Sequence, residues 1–311
     1  MASAAAAAIV SAESILALTP VVIKQSPLDE LSAVWSRILT TGVLGYLLAG
    51  DRRLRGTDWE AAAALGATNL LHIASSYSSF RNLPAGQAMS LLYTYPLWNL
   101  VIGGLAGTER FAAAEYGWMT LAVVGSFLLN TDPGPSAEPV PGRTANPSWG
   151  IAMGLVMAIT ESIMHSLLRR AGWRDPAKSV FIVNGSAGLW LAGVQAVSSF
   201  FDGGVGATEM RLRTGSWSDA LTLTAFHGVS HFTGYWLRFF AVPRLSVVTY
   251  SILSYAGLLA SYLFGLVFLG ERPGWISLLG AALIVVSGYF LQRISREEDP
   301  QRPAEEAAKS D

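Results

Sequence analysis

The chain has 311 residues, of which 51% are hydrophobic and 14% charged, against roughly a quarter charged in an ordinary soluble domain, so water is not the main solvent of this sequence. A formal charge of −1 excludes the basic surface that nucleic acid requires. With no cysteine, disulfides, thiolate metal sites and cysteine nucleophiles are excluded too.

Apolar runs of about twenty residues, long enough as helix to cross a ~30 Å hydrocarbon core, follow one another along the chain. The first run, 5–24, has no basic residue ahead of it and reads as a span rather than a signal peptide. Four more lie at 28–49, 59–80, 84–106 and 111–130. Residues 131–148, TDPGPSAEPVPGRTANPS, hold five prolines and read as a non-cytoplasmic linker. Five further runs occupy 149–170, 177–201, 217–241, 243–269 and 273–292, before a polar cytoplasmic tail at 293–311. Lipid leaves the backbone no outside partner, and a barrel would alternate polar and apolar residues. The expected class is therefore an all-α integral membrane protein of ten transmembrane helices. With the N-terminus inside, the cytoplasmic breaks hold thirteen lysines and arginines and the opposite breaks six. That asymmetry predicts a multi-pass protein of the cell membrane with both termini cytoplasmic.

The two halves repeat one another. Glu13-Ser14-Ile15 recurs as Glu161-Ser162-Ile163, and GVLGYLLAG at 42–50 answers GSAGLWLAG at 185–193. His72 precedes Pro84 by twelve residues, as His231 precedes Pro243. Glu109-Arg110 and Glu271-Arg272 each open a glycine-spaced final helix. Five helices per copy is an odd number, so the copies cross the membrane in opposite senses. Two inverted five-helix repeats around a central cavity follow, a geometry suited to alternating access.

These paired Glu-Arg breaks, the glycine-spaced final helices and Arg37 in the second span resemble the EamA-type repeats of the drug/metabolite transporter (DMT) superfamily, over about 5–292. The resemblance implies EamA-like repeats at 1–130 and 149–292, cytoplasmic termini, and a cavity lined mainly by spans one, three, four, six, eight and nine. The second half departs from the pattern: span seven has no arginine matching Arg37, and Pro96 has no partner in span nine.

Glu13 and Glu161 lie too deep in their spans to reach water. A carboxylate there must face a cavity or a partner, and desolvation favours its neutral form, which suits proton coupling. The small multidrug resistance proteins of the same superfamily are similar in having one buried first-helix glutamate that takes a proton or a cationic drug. The plainer alternative is a structural hydrogen bond, for instance from His165 one turn after Glu161. In span eight His227, His231, Tyr235 and Arg238 share one face of a regular helix. In span three Asn69, His72, Ser76 and Ser79 do so more weakly. Histidine titrates where a proton-linked cycle needs it, although interhelical packing explains the same stripe. Arg37 is placed to neutralise an acidic neighbour, to hold a substrate carboxylate or, as the plainer expectation, to brace its helix through backbone oxygens, and Arg238 is expected to snorkel to the cytoplasmic interface. Tyr93, Trp98 and Tyr250 supply aromatic walls of the kind that line small-molecule sites or, near helix ends, belong to interfacial belts. Pro96 is a candidate hinge.

The expected function is secondary active transport of a small metabolite, an amine, amino acid or similar amphiphile, as proton-coupled export. The alternative is an exchanger or uniporter for an anionic metabolite such as a phosphorylated compound or nucleotide sugar. An intramembrane enzyme or a non-transporting membrane protein stands below both. No enzyme motif, cofactor or metal is implied. The expected partners are a small solute, protons and lipid, for a monomer or homodimer.

Overall fold

The computed structural model describes residues 2–53, 58–95, 98–99, 101–102, 113–131, 146–201, 216–270, 272 and 274–297. Pro96, Glu109, Arg110, Glu271, most of the linker and the tail beyond Glu297 lie outside them. Among the described residues every regular element is helical. The helices are α1 (Ala2–Leu16), α2 (Thr19–Gln25), α3 (Glu30–Leu48), α4 (Asp58–Asn82), α5 (Ala85–Leu92), α6 (Ala113–Thr131), α7 (Pro147–Ala171), α8 (Pro176–Phe201), α9 (Trp217–Phe226), α10 (Phe232–Ala241), α11 (Val247–Leu269) and α12 (Trp275–Glu297). A π turn, His227–His231, joins α9 to α10, and a 3-10 turn, Val242–Arg244, follows. Each of the ten expected spans thus holds helix among the described residues, span one as α1 and α2, span four as α5, and span eight as α9, the π turn and α10. At the edges the structure corrects the boundaries: Thr131 still belongs to α6, Pro147 already opens α7, and α12 runs to Glu297.

Local chemistry sets the ends. Asp29 Oδ1 accepts from Ser32 N at 2.9 Å, Asn146 Oδ1 from Trp149 N at 3.1 Å and Ser246 Oγ from Thr249 N at 3.1 Å, each satisfying a free donor of a first turn. Ser216 and Asp219 form a reciprocal capping box at the start of α9. Gly172 and Gly270, at φ of 64° and 67°, close α7 and α11 in the left-handed conformation that glycine adopts without penalty.

Among the described residues five helices are long and apolar enough to cross a membrane: Ser3–Gln25, Glu30–Leu48, Pro147–Ala171, Pro176–Ser199 and Thr249–Leu269. The 25-residue α4 is as long, but Asn69, His72, Ser75, Ser76, Ser78 and Ser79 face inward from it. The distribution of polarity is inverted relative to a water-soluble bundle. Glu13, Glu161, Arg37, Arg238 and all four histidines are buried, while Leu39, Val43, Leu189, Val197, Val267 and Leu278 stand on the outside, Leu189 at 73% exposure.

α1 packs on α10 and α11, and α7 packs on α4 and α5. α3 packs on α8, and α6 on α12. At the α3–α8 crossing the two matching glycine segments meet: a Cβ on Gly42 would lie 3.7 Å from Gly185 N, and one on Gly45 would lie 2.6 Å from Phe181 N. The second contact is with backbone, so a side chain there must separate the helices. Gly45→Val is expected to lower unfolding free energy by about 2 kcal/mol or more through overpacking, read as a lower thermal midpoint in detergent. Gly193→Ala, with nothing within 4 Å of the new Cβ, should lose none.

Candidate functional site

α1 and α7 carry Glu13 and Glu161 into the centre of the bundle, where they are 1% and 0% exposed. Arg238, delivered by α10, lies between them. Its Nε and Nη2 donate to Glu13 Oε1 at 2.9 and 2.6 Å, and its Nη1 donates to Glu161 Oε1. Such charge-assisted forks are what make two carboxylates tolerable away from water. Tyr93 Oη donates to the other oxygen of Glu13 at 2.8 Å. Two imidazoles flank Glu161: His165 Nε2 lies 3.2 Å from Oε1, and His72 Nε2, from α4, lies 3.5 Å from Oε2. Tyr250 Oη meets the same His165 nitrogen at 3.1 Å. Tyr95 and Tyr250 pack edge-on to the His165 ring, with centroids 5.4 and 4.8 Å away.

A second cluster surrounds Arg37 on α3. Its Nη2 donates to Tyr235 Oη at 2.6 Å, and its Cζ lies 4.9 Å from the Tyr235 ring centroid and 5.7 Å from that of Tyr77. The same Tyr235 ring lies 5.3 Å from Arg238 Cζ, so one tyrosine separates two guanidinium groups. His227 bridges Ser36 Oγ and Tyr77 Oη, each at 3.0 Å. His231 Nε2 meets Thr19 Oγ1 at 3.3 Å. A cavity of about 30 Å³ lies between the clusters, reached by Glu13, Arg37, His72, His231, Tyr235 and Arg238. It has room for one or two waters.

Both spans that supply this region are irregular. Between α1 and α2 the chain turns at Ala17 and Leu18, Leu18 N bonds Ile15 O at 3.3 Å, and Pro20 opens α2. In span eight the π turn inserts an extra residue into the helical register, a feature that often marks functional sites. The Thr19–His231 contact ties the two breaks together.

Three expectations change. Arg238 does not snorkel: at 3% exposure it holds both glutamates, because a buried acid pair needs a counter-charge more than the interface needs an arginine. Arg37 braces no backbone oxygen and instead lies on tyrosines. The polar stripe of span eight is kept, with the His227 and His231 rings 4.8 Å apart and the Tyr235 ring 6.5 Å from His231, but it runs through a π turn and not along a regular helix. Glu13, Tyr93, Glu161, His72, His165 and Tyr250 gather at the first cluster, and Arg37, His227, His231 and Tyr235 at the second. Trp98 is half-buried against the core, apart from both. Sequence reasoning missed Tyr77 and Thr19, and undervalued Arg238. Requiring charge balance for two deep acids would have found the arginine.

No protein-family model matches the chain, and no curated protein matches it in sequence. Solved structures do: 27 chains match. One, described as a crystal structure of a protein, has a TM-score of 0.65 and 18% identity, covering 96% of this chain and 98% of its own. The fold is therefore shared over nearly the whole length.

Proposed function

We propose that the chain is an integral membrane protein of two inverted five-helix repeats, of the EamA type in the drug/metabolite transporter superfamily, that moves a small organic solute by alternating access. The observation that carries this reading is the Glu13–Arg238–Glu161 bridge. It joins the first repeat to the second at the level where their equivalent acids meet. Apolar outer faces around a polar interior support a bilayer as the solvent. The symmetric pairings of α1 with α10 and α11, and of α7 with α4 and α5, support the repeat. An ion-paired, nearly closed centre fits an occluded state, and the linked breaks at Ala17–Leu18 and His227–His231 supply points where each half can bend.

Proton coupling is part of the proposal. His72 Nδ1 lies 3.2 Å from the Met157 carbonyl oxygen, which only accepts, so that nitrogen carries hydrogen. Its Nε2 then faces the Glu161 carboxylate. A proton taken up between them turns opposed lone pairs into an ion pair. His165, Arg238 and, through the arginine, Glu13 sense the change. The protein is proposed to act without chemical turnover of its solute.

The test is reconstitution in liposomes with a trapped pH dye, adding pools of amines, amino acids and organic anions. Wild type is expected to show a solute-dependent proton flux, reduced at least tenfold in both Glu13→Gln and Glu161→Gln. Equal solute movement with no proton flux in wild type and variants would make the acids structural. Turnover of a solute in detergent would instead identify an enzyme.

A further inference from the structure

Of the four charged side chains at the centre, three already answer one another and one does not. Arg238 is engaged by both carboxylates. Arg37, 3% exposed, has no carboxylate of the described residues within ion-pair distance; its partners are the hydroxyl and ring of Tyr235 and the ring of Tyr77. Phenol hydroxyls and ring faces ease a buried guanidinium without neutralising it. Arg37 also reaches the central cavity, which has an apolar part from Leu16, Phe80, Met89, Leu92 and Met157 beside the hydroxyls of Thr19 and Ser76.

We infer that Arg37 is the seat of the solute's carboxylate, and that the solute is a small organic acid or amino acid with an apolar body. This rests on the reading that the cavity is the solute site. A guanidinium presents a planar fork that matches a carboxylate. The four charges sum to zero, but they are unevenly placed: Arg37 has no carboxylate against it, while the two acids share Arg238, so a carboxylate has a place at Arg37. The apolar side of the cavity receives the body, and its methionines adapt as the pocket widens around it. A plain amine has no equivalent place, because Arg238 fills the space between the acids where an ammonium would go. In a zwitterion the ammonium group would lie toward Glu13 and Glu161, which share one arginine between two carboxylates.

Three compounds with one branched carbon body separate these cases: isovalerate (carboxylate only), valine (both charges) and isobutylamine (amine only). Thermal stabilisation of the purified full-length protein in detergent is measured with each. At least one of isovalerate and valine should stabilise wild type, with isobutylamine inert. The apparent affinity should fall at least tenfold in Arg37→Gln and partly recover in Arg37→Lys. Tyr235→Phe leaves the guanidinium in place while removing its hydroxyl partner. It should change the apparent affinity for isovalerate or valine while isobutylamine stays inert, which provides a reading if the Arg37 variants fold poorly; an unchanged affinity counts against the seat. Stabilisation by isobutylamine alone, by none of the three, or undiminished in Arg37→Gln overturns the inference. Flux in liposomes with the same compounds distinguishes the two levels of the proposal. A carboxylate that binds but does not move sinks the transport reading and leaves the seat, whereas movement of isobutylamine alone keeps transport and removes the seat.

Discussion

Replacing Arg238 by methionine is expected to cost about 3–5 kcal/mol of stability, the usual penalty for removing one partner of a buried ion pair, and to abolish transport. Methionine keeps the packing of the aliphatic stem but ends near the position of Nε, so the loss combines the missing charge with the volume of the guanidinium. Glu13 and Glu161 would then face each other with no cation between them, and Tyr93 Oη and the two imidazoles cannot replace three charge-assisted donors. The combined variant Glu13→Gln, Arg238→Met, Glu161→Gln removes all three charges. It should regain most of the lost stability, because a neutral polar cluster no longer carries an uncompensated charge, while remaining inactive. Thermal midpoints of the single and triple variants in one detergent measure this. A single variant as stable as wild type would mean that the bridge contributes nothing to the folded state.

The bridge also has a functional side. In a membrane the alternative to pairing is a carboxylate in hydrocarbon, so the acids hold Arg238 whatever the remainder of the cycle does. The arrangement around them is unequal. Glu13 is held by a tyrosine of the fourth span, whereas Glu161 has two histidines. The two acids thus have different surroundings, and Arg238 divides its donors unequally between them, two to Glu13 and one to Glu161.

The spans were legible because each is a long apolar run with a charged or proline-rich break, a signal that lipid solvation makes nearly obligatory. The matched acids Glu13 and Glu161, and the glycine segments that approach at Gly42 and Gly185, were legible as sequence matches. The breaks within spans were not. The turn at Ala17 and Leu18 and the π turn at 227–231 lie inside continuous apolar sequence, where hydropathy is blind to hydrogen-bond register, although Pro20 was a partial sign. Arg238 was misplaced because depth was counted from the nearer end of an apolar run, a measure that ignores which partners share its level. Arg37 was assigned backbone partners because its actual ones, Tyr77 and Tyr235, come from spans three and eight, and long-range pairing leaves no local trace in the chain.

The last contact with a large expected effect involves a residue with no side chain. A Cβ on Gly257 of α11 would strike Tyr93 Oη and lie 2.9 Å from Glu13 Cβ and 3.0 Å from Glu13 O. The hydroxyl can swing away, but the backbone of α1 cannot without moving Glu13 itself. Gly257→Ala should therefore break the Tyr93–Glu13 hydrogen bond, an interaction with a charged acceptor contributing about 1.5–3 kcal/mol. At 1.4 kcal/mol per factor of ten that is roughly a 10- to 100-fold loss of solute flux in liposomes. Gly185→Ala, whose Cβ would come no closer than 3.6 Å to the Phe181 ring, is the matched control and should transport normally. Tyr93→Phe removes the hydrogen bond and relieves part of the clash. If Glu13 needs that bond, Tyr93→Phe alone will reproduce the defect, and adding it to Gly257→Ala will make matters little worse. If instead the double variant recovers flux, the tyrosine hydroxyl is dispensable, and the glycine serves only to let α11 approach α1.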